Sequence, residues 1–215
     1  MLKSLIQIKH YGGGNLVQQY TKKMIREVFI KMLNERPLDK ITVTAITEEC
    51  EINRNTFYYH YTDIYEILSE IFQTELGTVI DEYNDTLSWE ESFLLAAKFA
   101  LQNKKAIYHV YNSMQREELE NYMYNVSGNV MIQYVDRVSD GISASSGDKK
   151  LIASFYQCAL TEMVLRWIAS GMKEDPDTII RRIGQLFDGN ITLSLKRSAG
   201  LNDIWQENNR RFFSY

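Results

Sequence analysis

Asn53-Arg54-Asn55-Thr56-Phe57-Tyr58-Tyr59-His60-Tyr61 crowds hydrogen-bonding and aromatic side chains into one short run. That mixture suits a polyanion. A guanidinium pairs bidentately with guanine, and Arg54 is placed for it near a helix start. Asn55 follows and reaches a base edge or a phosphate. Thr42, Thr56, Tyr58 and His60 have the reach and donors for phosphate oxygens, contacts that position a protein without specifying sequence. Tyr59 stacks on sugar or a thymine methyl. Asn53 caps the helix at its nucleic-acid end, and Ile52 and Phe57 anchor it to a core. Taken singly, each tyrosine or His60 reads as lining of a small three-helix core. The ordered run favours nucleic acid.

Such a run needs elements to present it. Thr42 caps a short helix, 43–50; a tight corner at Glu51-Ile52 leads to Asn53, a good N-cap for the next. Two short helices joined this way are helix-turn-helix geometry, the second lying in the major groove. A preceding helix, 21–34, shows Ile25, Val28, Phe29, Met32 and Leu33 at helical spacing, and Pro37 stops it. Thr62 is expected to cap a long fourth helix, 63–87. Its stripe should pack on the head from Ile64 to Leu76 and in the body from Val79 to Tyr83, making the helix a lever between them. Ser88 opens a fifth helix with a capping box. Helices at 104–113 and 117–138, a loop at 140–148, a helix at 149–170 ended by Gly171, and a last major helix at 177–196 after Pro176 complete the reading. The chain divides into a flexible extension, 1–15, a head, 16–66, a helical body, 67–200, and a tail, 201–215. Gly12-Gly13-Gly14 reads as a flexible break, and purine-rich Gly codons there would make a ribosome-binding site for translation starting near Leu16.

Thr42-Val43 through Ile46, then Ile52 to Tyr61, resembles the DNA-binding signature of the tetracycline-repressor (TetR) family, over 19–68. Leu165-Arg166-Trp167-Ile168-Ala169-Ser170-Gly171-Met172-Lys173-Glu174-Asp175-Pro176 is similar to the dihydroxyacetone-kinase-activator-like branch of that family. The resemblance implies an all-α protein, a three-helix helix-turn-helix domain followed by a larger dimerisation and effector domain. It implies a base- or backbone-contacting role for Thr44, and a four-helix dimer interface from the last two major helices, here with Phe155, Ala159, Met163, Trp167, Ile179, Ile183, Leu186 and Phe187. A two-fold dimer would read a palindromic operator in double-stranded DNA. Departures from the pattern are Glu51 at a turn usually made by Gly, Ile64 where relatives often place a phosphate-contacting Lys, and the added negative charge of Glu48, Glu49 and Glu51. They predict weak non-specific binding.

Composition is consistent with this. Pro is scarce at 2 residues and net charge is −4. Residues 1–62 hold nine Lys/Arg against six Asp/Glu, while 63–215 hold fifteen against twenty-two, a basic head on an acidic body. Cys50 and Cys158 read as reduced core residues; His10, His60 and His109 lack metal-ligand spacing; no cofactor is implied. No nucleophile–base set or phosphate loop marks an enzyme. No apolar run reaches membrane-span length and no signal peptide is visible, so a cytoplasmic protein is expected. Trp89, Phe93, Tyr108, His109, Tyr111, Tyr134, Phe155 and Trp167 are the candidate lining of an effector pocket, with core packing the plainer role of each. The expected function is a homodimeric transcription regulator, a repressor released by a small-molecule or protein effector. The alternatives are an activator controlled by a protein partner, or a helical interaction module that has lost operator binding.

Overall fold

The computed structural model describes residues 13–187 and 189–212, with side chains from Gln18 to Leu201. All regular structure among them is helical. The head comprises α1 (Gly13–Glu35), a 3-10 turn (Leu38–Lys40), α2 (Val43–Glu49) and α3 (Arg54–His60). Helix α1 begins earlier than its apolar periodicity shows, so Gly13 and Gly14 lie in helix where a flexible break was expected; residues 1–12 are outside the described residues. Ile25 and Phe29 of α1, Leu38, Ile46 of α2 and Phe57 of α3 are buried together. Full burial of a side chain like Phe57 contributes about 1.5–3 kcal/mol.

Helix α4 (Ile64–Thr86) closes the head core with Ile64, Ile67 and Leu68. Its cap is Asp63, not Thr62. The Asp63 carboxylate accepts from the N–H of Tyr65 at 2.8 Å and of Glu66 at 3.0 Å, two orphan donors at the positive helix end. The Thr62 N–H instead donates to Glu66 Oε2 at 2.5 Å. The lever also meets the body sooner than its stripe shows. Phe72 stacks on Tyr122 with ring centroids 4.9 Å apart, and Ser69 donates to Glu118 at 3.3 Å, so head and body share one continuous core.

The body holds α5 (Trp89–Gln102), α6 (Lys104–Tyr111), α7 (Arg116–Val138), α8 (Ser146–Ala169), α9 (Pro176–Phe187) and α10 (Asn190–Phe212). Ser88 and Ser145 cap α5 and α8 by accepting from Glu91 N at 3.2 Å and Asp148 N at 3.0 Å. Helices α7 and α8 approach closely at Gly128, where a side chain would strike Gln157. The single last helix expected over 177–196 is two helices. Gly189, at φ 72°, makes the break, a conformation that favours glycine. Helix α10 returns along α8: buried Ser198 accepts from Ser145 N at 3.2 Å and donates to Asp148 at 2.5 Å. It runs on through the expected tail to Phe212. No helix among the described residues is long and apolar enough to cross a membrane.

Candidate nucleic-acid interface and body cavity

Both caps that aim the recognition helix form. Thr42 Oγ1 accepts from Ala45 N at 3.1 Å, and Asn53 Oδ1 accepts from Thr56 N at 2.8 Å. The corner between them costs conformational energy, since Glu51 sits at φ 53°. Phe57 is wholly buried, which turns the rest of α3 outward: Asn53, Arg54, Asn55, Tyr58 and Tyr59 are exposed, Thr56 and His60 half-buried. The Arg54 guanidinium donates to Thr44 Oγ1, bridging the starts of α3 and α2. Thr44 therefore acts on Arg54, holding the fork in place, before any contact of its own. Thr42 is exposed beside them.

The far end of α3 is tied to α1. Gln18 Nε2 donates to Tyr59 Oη at 2.8 Å, and the Tyr59 and His60 rings meet edge to face at 5.1 Å. Lys22 lies over the Tyr61 ring at 5.2 Å and pairs with Glu70 of α4 at 2.7 Å. Burial lowers the His60 pKa from 6.5, and the nearby Lys22 charge lowers it further. Gln18 and Lys22 were not singled out from sequence; each lies on a different helix from its partner, and local spacing carries no trace of such pairs. Two expected liabilities change. Glu49 is held by Lys31 at 2.6 Å, while Glu48 and Glu51 are exposed. Ile64 is buried in the head core, so it faces no phosphate.

In the body, a cavity of about 390 Å³ opens between α5, α7, α8 and α9. Of the expected pocket residues, Phe93 and Trp167 line it, while Trp89 and Tyr134 line a separate pocket of about 50 Å³. The others lie elsewhere. Tyr108 is exposed, His109 Nδ1 bonds the Leu33 carbonyl at 2.7 Å, Tyr111 lies under the Arg116 guanidinium at 4.2 Å, and Phe155 is exposed. The lining missed from sequence is aliphatic and small, with Ala96 and Ala97 of α5 and Ile179, Ile180 and Ile183 of α9.

The expected interface residues also divide. Phe155 is 69 % exposed, and Ala159, Leu186 and Phe187 are exposed too. Met163 borders the cavity. Trp167 is buried in its own chain, its indole N–H donating to the Glu174 carbonyl at 2.9 Å, while Ile179 and Ile183 turn inward over the cavity. Leu151 and Leu201 join the exposed apolar residues, as does Cys158 to solvent, correcting its expected place in the core.

A capped helix-turn-helix head on a helical body defines a class, and the comparisons agree with it. The fold is similar to that of solved transcription regulators. Residues 88–189 match the family model of a TetR-type transcriptional regulator C-terminal region. Two curated relatives are transcription regulators. The chain is 27 % identical over 84 residues to the activator of the dhaKLM operon, DhaS, of Lactococcus lactis subsp. lactis (strain IL1403), covering 39 % of this chain and 45 % of that protein. It is 23 % identical over 175 residues to YxbF of Bacillus subtilis (strain 168), an uncharacterised HTH-type regulator, covering 78 % of this chain and 44 % of that protein. The chain thus spans less than half the length of either curated relative. A solved structure of the dihydroxyacetone kinase operon activator DhaS superposes with a TM-score of 0.69 at 19 % identity, covering 80 % of this chain and 97 % of the other. The fatty acid degradation regulator FadR from Bacillus halodurans gives 0.54 at 17 %, covering 83 % and 96 %.

Proposed function

We propose that the chain is a homodimeric, sequence-specific DNA-binding transcription regulator whose body receives an effector. The observation that carries this is the outward face of α2 and α3, where Arg54 is buttressed by Thr44 and flanked by Asn55, Thr56, Tyr58, Tyr59 and His60. Arg54 reads guanine, Asn55 a base edge or phosphate, and the threonines, Tyr58 and His60 hold the backbone. One such helix reads too few base pairs, and the exposed stripe of α8, Leu151, Phe155 and Ala159, gives a second copy an apolar surface to bury. Operator occupancy by such a dimer blocks transcription, and an effector that prefers another body arrangement relieves it. The similarity to an operon activator favours a second reading, activation at the same kind of site.

Selection of bound duplexes from a random library tests the proposal. Enrichment of a two-fold-symmetric sequence with guanine in each half-site supports it. Enrichment of nothing supports instead a helical interaction module without an operator. A reporter fused to the selected site then reads the sign of regulation.

A further inference from the structure

We propose that Gln18 of α1 is a positioning residue for DNA binding, holding the Tyr59 hydroxyl so that its proton goes to a backbone phosphate. This deepens the function proposed above and rests on it for the contact with DNA. It gives a role to a residue outside the two helices of the helix-turn-helix.

Three observations argue for it. Tyr59 is 68 % exposed, yet its hydroxyl is tied to another helix, accepting from Gln18 Nε2 at 2.8 Å. Its ring is fixed a second time by His60, the two meeting edge to face with centroids 5.1 Å apart. With its tip held by α1 and its ring set against His60, Tyr59 is not free to swing flat onto a sugar or a thymine methyl. The hydroxyl is the part left to meet a duplex. Lys22, one turn after Gln18 on the same face of α1, lies over the Tyr61 ring at 5.2 Å and pairs with Glu70 at 2.7 Å. That face of α1 therefore grips the end of α3 at two residues. Its cation is already engaged, so the donor it sets in place is neutral.

The direction of the Gln18 bond decides its use. A phenol that accepts one hydrogen bond still has its own proton to give. Accepting from an amide polarises the O–H and strengthens the bond it donates. A phosphate oxygen is an ionised acceptor and takes that proton well. Such a contact positions the head without specifying sequence.

The test measures binding of the full-length protein by fluorescence anisotropy, to a duplex of random sequence at low salt and to a site selected from a library. Tyr59→Phe keeps the ring and removes the hydroxyl; it should weaken binding to both duplexes about tenfold or more. Gln18→Met keeps the side-chain length and removes the donor. It should cost about threefold in the native background and nothing in the Tyr59→Phe background, a non-additivity that a merely structural role would not produce. Circular dichroism should show the same helix content and Tm throughout, since both residues are exposed. Tyr59→Phe binding as tightly as the native protein would overturn the proposal, because stacking needs only the ring. So would Gln18→Met binding that is unchanged, or weakened equally in both backgrounds. A native protein that binds the random duplex but selects no site sinks the sequence-specific function alone, because the random duplex still reads the phosphate contact. One that binds no duplex sinks both.

Discussion

Helix α6 has no N-terminal cap of its own: Asn103, which precedes it, makes no capping bond with its side chain. The cap comes from the head. Asn34 Oδ1, near the end of α1, accepts from Ala106 N at 3.2 Å, while its Nδ2 donates to the Ile30 carbonyl at 3.0 Å. The neighbouring Leu33 carbonyl accepts from His109 at 2.7 Å. Asn34→Ala removes the acceptor of a buried N–H in the first turn of α6, which costs about 0.5–2 kcal/mol as a lost cap. Losing the half-buried bond to Ile30 adds a smaller amount, for a total of about 1–2 kcal/mol. For a chain of this size that lowers Tm by roughly 2–8 °C. Asn34→Asp keeps the acceptor and places a negative charge at the positive end of α6, so it should recover the cap's share of the loss at neutral pH but not the bond to the Ile30 carbonyl. Thermal unfolding followed by circular dichroism gives the first number; amide exchange mass spectrometry shows whether the opening is local to α6 and the end of α1. An unchanged Tm together with unchanged α6 exchange in Asn34→Ala would refute the reasoning, as would an Asp variant whose α6 exchange is no slower than that of Ala.

Three further outcomes are expected. Glu51→Gly removes the left-handed strain at φ 53° and one carboxylate near the DNA face, so it should stabilise the head by about 1 kcal/mol in thermal melts and tighten non-specific DNA binding at low salt. Leu151→Glu with Phe155→Glu puts charge on the exposed apolar stripe of α8 and should give monomers in sedimentation with unchanged helix content; a persistent dimer would move the interface elsewhere. His60 is pushed below its usual 6.5 by burial, so the unfolded chain takes its proton more readily. Stability should therefore fall as pH drops through about 6.5 and stop falling below the folded pKa, a slope His60→Gln removes; DNA phosphate reverses the preference, so binding should tighten over the same window.

The elements of the head were legible in sequence because their boundaries are set by single side chains that act locally. Thr42 and Asn53 carry an oxygen three residues from the N–H it satisfies, and Phe57 is the one large side chain of its helix without a polar atom. Asp63 displaced Thr62 as a cap because a carboxylate there serves two donors at once. The break at Gly189 was hidden by apolar residues that continue in helical register on both sides, although a glycine between polar neighbours marked it. The cavity was not legible. Aromatic residue type pointed to Tyr108, His109 and Tyr111, but α6 gives His109 to the Leu33 carbonyl and turns Tyr108 to solvent. The volume arises where small side chains, Ala96 and Ala97, face isoleucines from a helix far along the chain. Arg54 and Thr44, ten residues apart, meet only because the corner at Glu51 brings the two helix starts together.

The central claim is that this corner presents Arg54 to bases, and the ratio of specific to non-specific affinity tests it most directly. Fluorescence anisotropy would compare the selected site with a scrambled duplex at one fixed salt concentration, for the native protein, Arg54→Ala and Tyr58→Phe. The expected result is a ratio cut by about 1–3 kcal/mol in Arg54→Ala, against a ratio unchanged in Tyr58→Phe while both affinities weaken. An Arg54→Ala protein that keeps its native ratio would contradict the claim.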